Sequence, residues 1–259
     1  MKARKIREYI LSRADWVDKE RTVDTFKHGD PETEVKAAAV TWMLTMSVID
    51  EVKSLGANLV ITHEPTFYTH TDDVEQVKND PVYLAKRERL DEAALTVLRI
   101  HDSWDTWPDI GIVGSLAALL ELTELDARDR GRKVYGMKGP CRLDAFACLV
   151  RDRLGMDAVG MMGDGERRIR RVSLACGAMG GLDSMRKFLS LRPDVIVAGE
   201  LSHWQDVRFL EDNGCSLVLT DHAASENPGM RSLAEFVQRQ FGIPAHFIEV
   251  GPPLRTMAR

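Results

Sequence analysis

Two segments far apart in the chain end apolar runs in histidine and carboxylate side chains. His63 and Glu64 follow Asn58-Leu59-Val60-Ile61-Thr62, and His222 and Glu226 follow Ser216-Leu217-Val218-Leu219-Thr220-Asp221. A third run, Thr96-Val97-Leu98-Arg99-Ile100, leads into His101 and Asp105, which are also four residues apart. Short apolar runs bounded by polar residues read as buried strands, and α/β sheets keep their sites just beyond strand ends. Imidazole and carboxylate are donors for divalent metals, so segments that meet would form a His/carboxylate metal cluster. A single histidine beyond a strand is more often a loop hydrogen-bonding residue. Recurrence at three strand ends is what favours a site.

The spacing adds detail. His63 and Glu64 are consecutive, so an extended strand would aim them at opposite faces; a turn just before Pro65 brings both to one centre. His222 and Glu226 share a side on a helical turn, and Asn227-Pro228 would then start the next helix. Glu200 and His203 follow another strand-like run, 194–198, and are candidates for proton transfer or for orienting a ligand. The bland alternative for His203 is a helix start capped by Ser202.

These side chains need a scaffold of alternating elements. Helices are expected at 4–13, 46–55, 80–96, 113–123, 142–154, 182–190, 203–212 and 229–241. Strands are expected at 35–42, 58–62, 96–100, 157–162, 168–176, 194–198, 216–220 and 245–249, and the polar stretch 18–34 reads as loop. Asp164-Gly165 between two of these runs is a hairpin signal. Strands alternating with helices argue for α/β layering with mixed or largely parallel sheets. A faint repeat aligns Ser54–Glu64 with Ser190–Glu200 at an offset of 136 residues. It suggests two related α/β lobes, 1–134 and 135–259, with a site in the cleft between them.

Bulk properties exclude several classes. At 259 residues, with 44% hydrophobic and 29% charged side chains, the chain can bury a substantial core. A net charge of −5 leaves no global footprint for nucleic acid, and alternation along a strand splits the basic run Arg167–Arg171 between two faces. Cys141, Cys148, Cys176 and Cys215 have no C-x-x-C spacing and fall in apolar segments, as reduced, buried thiols do. No run approaches the ~18 apolar residues of a membrane helix, and the first residues lack a signal-peptide core. A soluble cytoplasmic protein is expected, with no membrane partner.

In this order the segments resemble the NGG-interacting-factor-three-like family, whose bacterial members are often named GTP cyclohydrolase I type 2 homologues. Ile61-Thr62-His63-Glu64-Pro65 stands where the family has T-H-H-P, and His101-Asp102-Ser103-Trp104-Asp105 keeps the outer residues of H-T-N-L-D. Ala198-Gly199-Glu200-Leu201-Ser202-His203 is similar to T-G-E-x-x-H, and Asp221-His222-Ala223-Ala224-Ser225-Glu226 to G-H-x-x-x-E. The resemblance spans roughly 35 to 250. It implies a two-lobed α/β protein, without the extra middle domain of some members, assembled as a toroidal homohexamer around dinuclear metal centres. The implied ligands are His63, Asp105, His222 and Glu226, with position 64 as the fifth. Here Glu64 replaces the family's usual second histidine, which shifts preference towards Mn, Mg or Fe over Zn.

The expected function is metal-dependent hydrolysis of a small-molecule substrate, a nucleotide in GTP cyclohydrolase-like fashion or another phosphate ester. The rival is a metal-binding or regulatory assembly protein without turnover.

Overall fold

A computed structural model describes residues 1–254 and 257. In chain order its first elements are α1 (Ala3–Arg13), β1 (Phe26–His28), β2 (Ala38–Thr41), α2 (Met46–Ser54), β3 (Leu59–Thr62), α3 (Pro81–Glu92), β4 (Thr96–Arg99) and α4 (Asp102–Asp105). There follow α5 (Ile112–Leu119), β5 (Thr123–Ala127), β6 (Lys133–Arg142), α6 (Leu143–Arg153), β7 (Gly160–Met162), β8 (Arg168–Ala175) and α7 (Leu182–Leu189). The last are β9 (Val195–Ala198), a π-helical turn (His203–Val207), α8 (Arg208–Asp212), β10 (Ser216–Leu219), α9 (His222–Phe241) and β11 (Ala245–Ile248). None of the described helices is long and apolar enough to cross a membrane.

The chain divides into two compact units. The first is Met1–Trp107 with Met230–Val250, and the second is Pro108–Gly229 with the described residues from Gly251 on. This division differs from an even split at 134/135. The physical reason is that β11 returns to pair with β2, Ala245 opposite Ala38 and Ile248 opposite Thr41, which takes the end of α9 with it.

In the first unit the sheet order is β1-β4-β3-β2-β11. β2, β3 and β4 run parallel, and every residue in them is buried. Burial on both faces is why they read as unbroken apolar runs rather than alternating ones. Antiparallel β1 closes one edge; it lies inside the stretch 18–34 that the sequence suggests is loop. Three residues with a bulge carry too little pattern to show themselves. The core beside this sheet joins Val48, Ile49 and Val52 of α2 to Val60, Leu90 and Val97.

In the second unit the order is β5-β6-β8-β9-β10-β7, with β8, β9 and β10 parallel and the outer strands antiparallel. Both sheets are therefore mixed. Met185, Phe188, Ile196, Leu210 and Leu217 form the core of this unit. β5 and β6 went unseen in the sequence: β5 is exposed throughout, and β6 carries Gly136, Gly139 and Pro140, residues that argue against a strand. The Asp164-Gly165 turn does not make a hairpin. Asp164 accepts the Glu166 amide as a turn should, but β9 and β10 lie between β8 and β7. The basic run behaves as strand alternation requires, with Ile169 buried and Arg168 and Arg170 exposed. The cysteines are free; Cys176 and Cys215 are buried, Cys141 is half-buried, and Cys148, against expectation, is exposed on α6.

Candidate metal-binding clusters

In the first unit the chain turns sharply as it leaves β3. The Trp42 carbonyl accepts the amides of both His63 and Glu64, at 3.1 and 2.8 Å. That bend brings the two consecutive side chains to one place. His63, Glu64 and His101 offer ligand atoms all within 4.8 Å of one another, and so do His101, Asp102 and Asp105. The His63 and His101 rings stack at 4.5 Å, tilted by 19°. His101 is thus the hub of the cluster rather than an outlying support, and Asp102 joins it with a 3.0 Å contact to His101 Nδ1. His70, which has no companion in the sequence, stands edge-on to His101 at 5.8 Å.

The orientation of His63 tests whether these residues suit a cation. The ring is fully buried, and Nδ1 lies 3.1 Å from the Ile100 carbonyl. A carbonyl only accepts, so this contact assigns the hydrogen to Nδ1. Nε2 then faces Asp105 Oδ1 at 3.2 Å with a lone pair. Two acceptors at that distance need a proton or a metal ion to reconcile them. Burial alone would raise the Asp105 carboxyl, but His101 and His63, each once protonated, outweigh it and hold it below the ordinary carboxylate range.

A fully buried arginine ties this cluster together. Arg99 Nε donates to the His63 carbonyl at 2.7 Å, and Nη1 donates to the His70 carbonyl. Its charge is answered by Glu64 and Asp72, each 3.9 Å away. An arginine inside the otherwise apolar run 96–100 is the sequence signal that would have exposed it, because charges are buried only when paired.

In the second unit the strand ends deliver Gly177, Glu200 and His222. α9 begins at His222, seven residues before the expected start, and carries Pro228 inside it. Proline costs an interior helix one hydrogen bond without always ending it. Helical geometry therefore places His222 and Glu226 together, with Nε2 3.4 Å from Glu226 Oε2. On the other side of the ring, Nδ1 lies 3.2 Å from Glu200 Oε2. An imidazole between two carboxylates again calls for a proton or metal beyond its single neutral hydrogen.

The backbone comes close as well. Gly177 has φ +64°, and a Cβ there would meet Glu226 Oε1 at 2.1 Å and His222 Nε2 at 2.9 Å. Its amide donates to Ser225 Oγ at 3.0 Å, and that hydroxyl donates to the His222 carbonyl. Nothing in the local sequence marks Gly177. His203 is exposed at the start of the π-helical turn. Ser202 makes no capping bond there; the buried Asp206 accepts the Ser202 amide instead.

The two units define a mixed α/β protein whose strand ends carry His/carboxylate clusters able to hold metal ions. The model of the Duf34/NIF3 (NGG1p interacting factor 3) family matches residues 5–253, and the chain belongs to that family. Among curated relatives, the GTP cyclohydrolase 1 type 2 homolog of Pasteurella multocida is 23% identical over 216 residues, 81% of this chain and 82% of the relative. The protein of the same name from Pseudomonas aeruginosa is 25% identical over 234 residues, 87% of each chain. Of solved structures, "protein ybgI, unknown function" has a TM-score of 0.85 at 22% identity, covering 98% of this chain and 100% of that one. Staphylococcus aureus hypothetical protein SA1388 has a TM-score of 0.83 at 18% identity, covering 99% of both chains. At these identities the structural likeness speaks for the fold.

Proposed function

We propose that this protein is a divalent-metal-dependent hydrolase with a dinuclear centre. His63, Glu64 and Asp105 form one donor set, and His222 and Glu226 form the other. The observation that carries this reading is the pair of acceptors His63 Nε2, buried, and Asp105 Oδ1, half-buried, 3.2 Å apart with Nδ1 already committed to a carbonyl.

Carboxylates outnumber imidazoles, three to two, in this set, which favours Mn, Fe or Mg over Zn. When bound, such ions supply Lewis acidity and acidify the water they hold. The chain's own residues do the rest. Ile100 fixes the tautomer of His63, and Glu200 does the same for His222 by accepting from Nδ1. Glu200 is largely exposed, so it can also pass a proton to solvent, with the exposed His203 as a second carrier.

The substrate class we favour is a nucleotide or related phosphate ester, as the relatives' name suggests, and the assembly a cytoplasmic homohexamer. Metal content per chain, followed by turnover of GTP and simple phosphate esters by the metal-loaded protein, tests this reading. Two ions and metal-dependent turnover are expected. Full metal without turnover on any of these would favour the assembly-protein alternative.

A further inference from the structure

The residues of the candidate site do not hold themselves in place. Asp102 to Asp105 form α4, a single turn of four residues, and His101 at its N-cap position makes no side-chain capping bond. What holds this turn is Asp24, 77 residues upstream and fully buried. One carboxylate oxygen, Oδ1, accepts the amides of His101 at 2.7 Å and Asp102 at 2.9 Å. The other, Oδ2, accepts the Ser103 amide at 3.0 Å and the Ser103 hydroxyl. Four donors thus converge on one carboxylate.

Asp24 is itself fixed from both sides. Arg7 of α1 donates to its carbonyl, and its amide donates to Thr22 Oγ1 at 3.0 Å. The neighbouring Val23 amide returns a bond to Asp102 Oδ2 at 3.1 Å, and the Arg99 amide donates to the Thr25 carbonyl at the end of β4. The chain leaving β4 is therefore clamped on the segment 23–25, with the carboxylate as the principal tie.

We propose that Asp24 is a positioning residue for the metal donors: by binding the amides of residues 101–103 it sets the direction in which His101 and Asp105 face His63. This rests on the metal-centre reading above. Removing the carboxylate frees the turn, and an amide in its place turns an N–H₂ towards two donors. Outer partners that orient metal ligands typically change affinity by about tenfold to a hundredfold when lost.

The test is a cobalt(II) titration of the full-length protein followed by visible absorption, wild type beside Asp24→Asn. We expect cobalt affinity to fall at least about tenfold in the variant, with an altered band shape. A Val52→Ala control, which loosens the core of the same unit away from the turn, is expected to keep the wild-type spectrum. Should Asp24→Asn fail to fold, Ser103→Ala removes one of the four donors and carries the test, with weaker cobalt binding expected. Wild-type titration curves and spectra in the folded variants would overturn the role of Asp24 alone. Absence of any cobalt binding by the wild type would overturn the metal reading, and this inference with it.

Discussion

Both units place histidine and carboxylate beyond adjacent parallel strands, four in the first and three in the second, but they hold those donors by different means. In the first, β2-β3-β4 ends in a cluster secured by buried charge: Asp24 on the 101–103 amides and Arg99 on the His63 carbonyl. In the second, β8-β9-β10 ends in a helical i,i+4 pair secured by backbone proximity at Gly177. A local pair on a helix needs little besides helix geometry. Donors drawn from two different strand ends, as His63 beyond β3 and His101 beyond β4 are, need fixed charges to hold them. The difference teaches that similar donor sets can carry unlike sensitivities to mutation and pH.

The largest expected effect is on the first unit. Arg99→Met removes a fully buried guanidinium and leaves the His63 and His70 carbonyls and the Glu64 and Asp72 carboxylates without it. Breaking a buried pair of this kind costs about 3–5 kcal/mol, to be read from urea unfolding. A cost near zero would mean that buried charge does not secure this cluster.

Next comes a pH effect from the same unit. Lys86 is buried, with its ammonium donating to the Thr66 carbonyl at 2.6 Å, and burial pushes its pKa down to about 8 from an ordinary 10.5. Between those values the unfolded chain binds more protons than the folded one, so stability rises with pH. Wild type is expected to gain about 2 kcal/mol between pH 7 and 9.5 relative to Lys86→Met. Parallel pH profiles for the two proteins would remove Lys86 from the account.

Gly177→Ala probes the second unit. The added methyl collides with Glu226 and requires a positive φ, an overpacking cost of about 1–3 kcal/mol, and it should lower metal content without disturbing the first unit's pH profile. Glu200→Gln is the mildest change. Since Glu200 is largely exposed, metal affinity is expected to fall by about tenfold or less; a larger loss, measured by competition with a chelator, would make Glu200 a ligand rather than an orienting group.

The central strands were legible in the sequence because burial on both faces leaves unbroken apolar runs, as in Leu59–Thr62 and Val195–Ala198. These two strands are also the ones paired by the 136-residue repeat, and each lies between two parallel neighbours. The edges were not legible, because β5 is polar and exposed and β6 is broken by glycine and proline. The donors showed themselves by residue type and spacing. Their supports did not: Asp24 lies in a stretch without periodicity, and its partners are fixed only by the tertiary fold. The early start of α9 stayed hidden behind Pro228, which read as a helix beginning.

The most direct test of the central claim is elemental analysis of the purified protein after reconstitution with Mn, Fe or Zn, wild type beside His222→Ala and Glu226→Ala. The account predicts about two equivalents per chain in the wild type and a clear loss in both variants while they remain folded by circular dichroism. No metal in the wild type, or full metal in both variants, would contradict it.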